Sequence, residues 1–88
     1  MSKTAAERAA EINREASEEE GQKMTIVHED AQHWANRGVF TGDELDQYRA
    51  CEEYKNAHEE FHGWTPPAQW WGALTTQQWK AKINAMFN

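Results

Sequence analysis

The chain has 88 residues, 39% of them hydrophobic, and carries 15 acidic against 9 basic side chains for a formal net charge of −6. That length holds one small core and leaves no room for a large catalytic cleft; the acidity disfavours DNA, RNA or an anionic membrane as a direct partner and favours a larger protein with a basic surface. The single cysteine, Cys51, excludes an internal disulfide, and with no membrane-length apolar run and no signal-peptide pattern the expected setting is a reducing cytoplasm.

The punctuation is helical from the start. Thr4-Ala5-Ala6-Glu7 reads as a capping box, after which Ala5, Ala9, Ile12 and Ala16 recur at helical spacing up to the acidic run Glu18-Glu19-Glu20 and Gly21. The stripe is almost wholly alanine and buries little area per turn. Residues 1–21 are therefore expected as a peripheral Ala/Glu-rich helix: a frayed arm, a helix lying lightly on the core, or a segment that firms up on a partner. Residues 22–88 are expected to form the helical core, ending in a Trp-rich segment.

A second helix is predicted from Met24 to Arg37, with Met24, Val27, Ala31 and Trp34 on one stripe and Gly38 ending it. Thr41-Gly42-Asp43-Glu44 is a clearer capping box and opens a third helix that runs to His62. Leu45, Tyr48, Cys51, Tyr54, His58 and Phe61 step along one of its faces, which makes it the expected centre of the fold.

Its end, His58-Glu59-Glu60-Phe61-His62, fits the H-E-x-x-H pattern of zinc peptidases. On a helix the two histidines stand one turn apart and can grip one Zn²⁺ while Glu59 deprotonates a bound water. A peptidase needs a third ligand as well, and no His, Asp, Glu or Cys follows His62. Gly63 also comes directly after His62, where it reads as a helix cap and departs from the extended metzincin pattern. Cys51, His58 and His62 share a face at spacings of seven and four, so a Cys/His metal site is the alternative. The preferred expectation is no metal and no cofactor, with Cys51 as a small core residue, His58 at the core edge and His62 at a helix C-terminus.

After Gly63 the chain turns aromatic. Thr65-Pro66-Pro67 places a capping residue before prolines, and one short helical turn over Ala68 to Trp71, closed by Gly72, is expected. Thr75-Thr76-Gln77-Gln78 starts a last helix with Trp79, Ile83, Met86 and Phe87 on its apolar side. The fold class is all-α: a small single-domain bundle of three to four main helices plus a short Trp-rich turn. Trp64, Trp70, Trp71 and Trp79 are expected mostly to fill the core, yet adjacent Trp70 and Trp71 cannot face the same way, which leaves at least one partly exposed.

In size and general style the chain resembles small phage-encoded inhibitors of bacterial proteins, including anti-CRISPR proteins. The likeness covers no motif and carries no residue roles. It implies a non-catalytic, acidic inhibitor in the bacterial or infected-host cytosol that sits on a larger nucleic-acid-handling protein. The residues expected to touch that partner are Glu18, Glu19, Glu20, Glu52, Glu53, Trp64, Trp70 and Trp71. The alternatives are the zinc peptidase or metal-binding domain, and a structural or assembly subunit that uses the alanine stripe as a homodimer seam.

Overall fold

The computed structural model describes residues 3–67 and 70–87. Four α-helices follow in order, α1 (Ala5–Glu20), α2 (Ala31–Ala35), α3 (Gly42–His62) and α4 (Thr76–Phe87), with one turn of 3₁₀ helix at Trp71–Ala73. Among the described residues there is no strand, only an isolated antiparallel bridge between Thr4 and Thr41, so the expected all-α class is observed. The chain divides into two compact units, residues 1–45 and 46–88, the division falling within α3.

In the first unit α1 and α3 both open on capping boxes. The Thr4 hydroxyl accepts from the Glu7 amide while the Glu7 carboxylate accepts from the Thr4 amide, and these bonds from Thr4 hold the Glu7 carboxyl below its ordinary value. Thr41 and Glu44 repeat the pattern, with Glu44 also accepting from Phe40. The bridge joins the two starts: Ala5 donates to the Phe40 carbonyl at 3.0 Å and Gly42 to the Lys3 carbonyl at 2.7 Å. Gly42 is closely approached: a Cβ there would stand 3.0 Å from Arg8 Cβ and 3.4 Å from Lys3 Cβ, so these neighbours would have to give by a few tenths of an ångström. Beside this junction Glu11 forms ion pairs with Lys3 and Arg8.

The unit buries Ala5, Ala9, Ile12 and Asn13 from α1 together with Val27, Trp34, Val39 and Leu45. The segment that lies along the second half of α1 is residues 24–29, held by Asn13 and Ser17. The predicted helix over Met24–Arg37 is corrected to a single short one, Ala31–Ala35, because the backbone before it is bound by α1 side chains. The Asn13 amide oxygen accepts from the Ile26 and Val27 amides at 2.8 and 3.0 Å, and its NH₂ donates to the Val27 carbonyl and the Glu29 carboxylate. One turn later the Ser17 hydroxyl accepts from the Met24 amide. The Val27 amide and carbonyl are groups that a helix from Met24 would have used itself, and Asn13 takes both. Asp30 then caps α2 through the Gln32 amide, the Trp34 indole N–H reaches the His28 carbonyl at 2.6 Å, and Gly38 ends the turn with φ 75°.

The second unit is built on Trp79, fully buried against Ala50 and Cys51, with Tyr54, Trp71 and Leu74 packed around it. A Thr75/Gln78 capping box starts α4 and so delivers Trp79 to the core, where its indole N–H donates to the Trp71 carbonyl at 2.9 Å. Gln47 on α3 donates to the Leu74 carbonyl at 2.5 Å and holds the connecting chain down. Of the expected turn over Ala68–Trp71, Ala68 and Gln69 lie outside the described residues; the turn observed is Trp71–Ala73, and Gly72, expected to close a turn, lies inside it. Phe61 and Phe87, placed by their periodicity on core faces, are instead 52% and 55% exposed, each in the last turn of its helix.

Replacing Asn13 by Ala strands two backbone amides and a carbonyl where water has poor access. Chemical denaturation should show a loss of about 2–4 kcal/mol; a loss under about 0.5 kcal/mol, typical of a neutral surface change, would mean that the segment holds its shape without that amide.

Candidate functional site

The histidine pair at the end of α3 is intact as geometry. His58 and His62 lie one helical turn apart with ring centroids 4.4 Å apart. Gly63, in a left-handed conformation with φ 81°, turns the chain back, and this return places the Trp64 carbonyl 3.2 Å from His58 Nδ1. Because a carbonyl only accepts, Nδ1 carries the proton. The Trp64 ring stands edge-on to His58 at 4.6 Å, and the Tyr54 ring stands edge-on to it at 5.9 Å. His58 is thus buried, 8% exposed, while His62 is exposed.

Cys51 does not join them. It is buried in the Trp79 core, and burial pushes its thiol up from the ordinary value. Among the described residues no three His, Cys, Asp or Glu side chains are grouped to hold a metal ion. The other two histidines, His28 and His33, stack nearly parallel at 4.0 Å in the first unit.

The aromatic residues of the second unit form the larger feature. Phe87 meets Phe61 edge-on at 5.5 Å, Phe61 meets His62 at 4.9 Å, and His62 meets Trp64 at 5.9 Å, which makes a continuous strip. Trp64 is 56% exposed. Trp70 is 68% exposed and touches Trp71, which is half-buried against Tyr48. The expectation that most of these tryptophans fill the core is corrected, because the unit's core is small enough for Trp79 to fill, with Trp71 at its edge. One member of the Trp70–Trp71 pair is exposed, as their adjacency requires. Phe61, His62 and Phe87 were not among the residues expected on a binding surface. The signal that points to them is position at a helix end, where the covering neighbour stops.

The glutamates differ in their surroundings. Glu18, Glu19 and Glu20 are exposed in the last turns of α1, which has no basic residue there. Carboxylates at a helix C-terminus oppose the macrodipole and weaken the helix. Glu52 pairs with Lys55 at 3.2 Å. Burial would lower the Lys55 ammonium, but Glu52 outweighs it and raises the group above its ordinary value. Glu53 lines an open groove of about 290 Å³ with Lys80, Ile83 and Asn84, and Lys82 lies over the Tyr54 ring at 5.3 Å.

Ten acidic and five basic residues fall in the first unit, against five and four in the second. Charge therefore concentrates in the first unit and, Phe40 apart, the most exposed aromatic side chains lie in the second. No helix among the described residues is long and apolar enough to cross a membrane. No protein-family model, curated protein or solved structure matches the chain.

At pH 8 native Cys51 should react with a thiol reagent at least about 100-fold more slowly than in denaturant, as its burial and raised pKa require. Its protonated thiol is favoured in the fold, so its contribution to stability holds below the unfolded value of about 8.5 and declines as pH rises through the folded one. Equal labelling rates in the two states would place the thiol at the surface.

Proposed function

We propose that the protein is a non-catalytic binding module that docks on a larger protein with a basic surface and blocks it. The observation that carries this reading is the aromatic surface of the second unit: Phe61, Trp64, Trp70 and Phe87 are each more than half exposed within 43 residues. Exposed aromatics in that density cost solubility and are characteristic of contact surfaces. Trp64 is the best anchor, because its backbone is tied to His58 and its ring is braced by two imidazoles, so little side-chain freedom is lost on binding.

The first unit supplies the long-range part. Its acidic excess attracts a basic surface before contact, and this effect depends on net charge and salt rather than on close fit. Glu18, Glu19 and Glu20 support this, since their position gives α1 nothing in stability. Glu52 and Glu53 add acidity to α3, and Trp71 backs Trp70 from its half-buried seat. The class of partner that acidity suits is a nucleic-acid-handling protein, whose basic groove an acidic module can occupy. Inhibitors of the phage type, anti-CRISPR proteins among them, work in that style, in the bacterial or infected-host cytosol.

The test starts from a partner captured by pull-down from bacterial lysate. Reversing Glu18, Glu19 and Glu20 to lysine together should slow association about tenfold at low salt, with the difference closing as salt rises. Trp64→Ala should instead speed dissociation tenfold or more, by the 2 kcal/mol or so expected of an aromatic anchor. Unchanged rates in both variants would remove the reading.

A further inference from the structure

Beyond docking, the end of α3 offers a ligand site that stands independently of any protein partner. We propose that His58 and His62 form a two-histidine site for a first-row divalent ion of tetragonal preference, Cu²⁺ foremost, with water in the remaining positions.

Three observations carry it. The first is the state of His58. Its Nδ1–H is donated to the Trp64 carbonyl at 3.2 Å, so in the neutral ring the lone pair belongs to Nε2. A histidine that donates one nitrogen to a backbone carbonyl while offering the other is the arrangement that orients metal ligands. No buried side-chain nitrogen or oxygen among the described residues lacks a hydrogen-bond partner, and the bond recorded for His58 is at Nδ1, so Nε2 reaches the surface although most of the ring is covered.

The second observation is spacing. With about 2.1 Å from metal to nitrogen and about 1.1 Å from nitrogen to ring centre, two imidazoles on one ion at 90° have centroids about 4.5 Å apart, and at the tetrahedral angle about 5.2 Å. The observed 4.4 Å is close to the separation for adjacent positions of a square or octahedral ion. Copper(II) and nickel(II) prefer that geometry, and copper(II) binds nitrogen ligands most tightly of the series.

The third is rigidity. Trp64 packs edge-on against His58 and also touches His62, so the pair is braced before an ion arrives. His28 and His33 make a contrast: their rings stack nearly parallel at 25°, and the Arg37 guanidinium lies 3.5 Å from His33 Nδ1, placing a positive charge where a cation would have to approach. Zinc peptidase chemistry is not implied, since no third protein ligand is grouped with the pair among the described residues.

The experiment titrates Cu²⁺ into the full chain while following tryptophan emission, with electron paramagnetic resonance at saturation. The wild type should bind one equivalent with micromolar affinity, quench the emission, and give an axial spectrum with coupling to two imidazole nitrogens. His62→Ala, at an exposed position, should keep the fold and weaken binding at least tenfold; His58→Ala should do the same wherever circular dichroism shows it folded. The His28→Ala/His33→Ala double variant should bind as the wild type does, and Zn²⁺ should bind at least tenfold more weakly than Cu²⁺. Unchanged binding in His62→Ala, loss of binding in the His28/His33 variant, a one-nitrogen spectrum, or zinc binding as tight as copper would each overturn the assignment.

Discussion

The first unit depends on one buried amide. Asn13 uses both lone pairs of its oxygen and both hydrogens of its nitrogen on the segment that follows α1, which is the whole capacity of that side chain. A buried amide left half-bonded would destabilise the fold, so its complete pairing leaves residues 26 and 27 one position to occupy. Val27 and the Trp34 indole follow from that placement: one enters the core beside α1, and the other ties back to the His28 carbonyl. Alanine at positions 5 and 9 belongs to the same design, because small side chains let neighbouring backbone approach where a leucine stripe would hold it off.

The second unit solves a different problem with a different residue. With few large aliphatic side chains, it closes a core around one indole, satisfied through the Trp71 carbonyl and covered by Tyr54 and Leu74. A core of that size takes up α4 at its first turn, where Trp79 lies, and leaves the C-terminal ends of α3 and α4 uncovered. Phe61 and Phe87 are outside for this reason, and they touch each other rather than the core. The aromatic strip is thus a direct result of a short core carried on longer helices.

The local signals were the legible part of the sequence. The capping boxes at Thr4 and Thr41, the Thr75/Gln78 start and the helix-ending glycines Gly21, Gly38 and Gly63 all act within four residues, and each is found where the residues indicate. What periodicity could not reveal was competition over a distance. Met24, Val27, Ala31 and Trp34 have helical spacing, yet the amides of residues 24, 26 and 27 are taken by side chains 7 to 14 positions earlier. A stripe also says which face is apolar without saying how far along the helix a neighbour covers it, which is why Phe61 and Phe87 read as core. For the histidine pair the spacing was visible and the tautomer was not, since it depends on where the chain goes after Gly63.

The bridge between Thr4 and Thr41 bears on how the first unit can assemble. It joins residues 37 positions apart, and closing a loop of that length costs entropy before any contact across it is gained. Helices α1 and α3 each carry their own start signal and can form in microseconds. The junction at Gly42, where a Cβ would already press on Arg8, closes when both ends arrive in register. Pairing of the two helix starts is therefore a step at which this unit's folding can be slow, and a bulky residue at position 42 would act on the rate of reaching the fold as well as on its final stability.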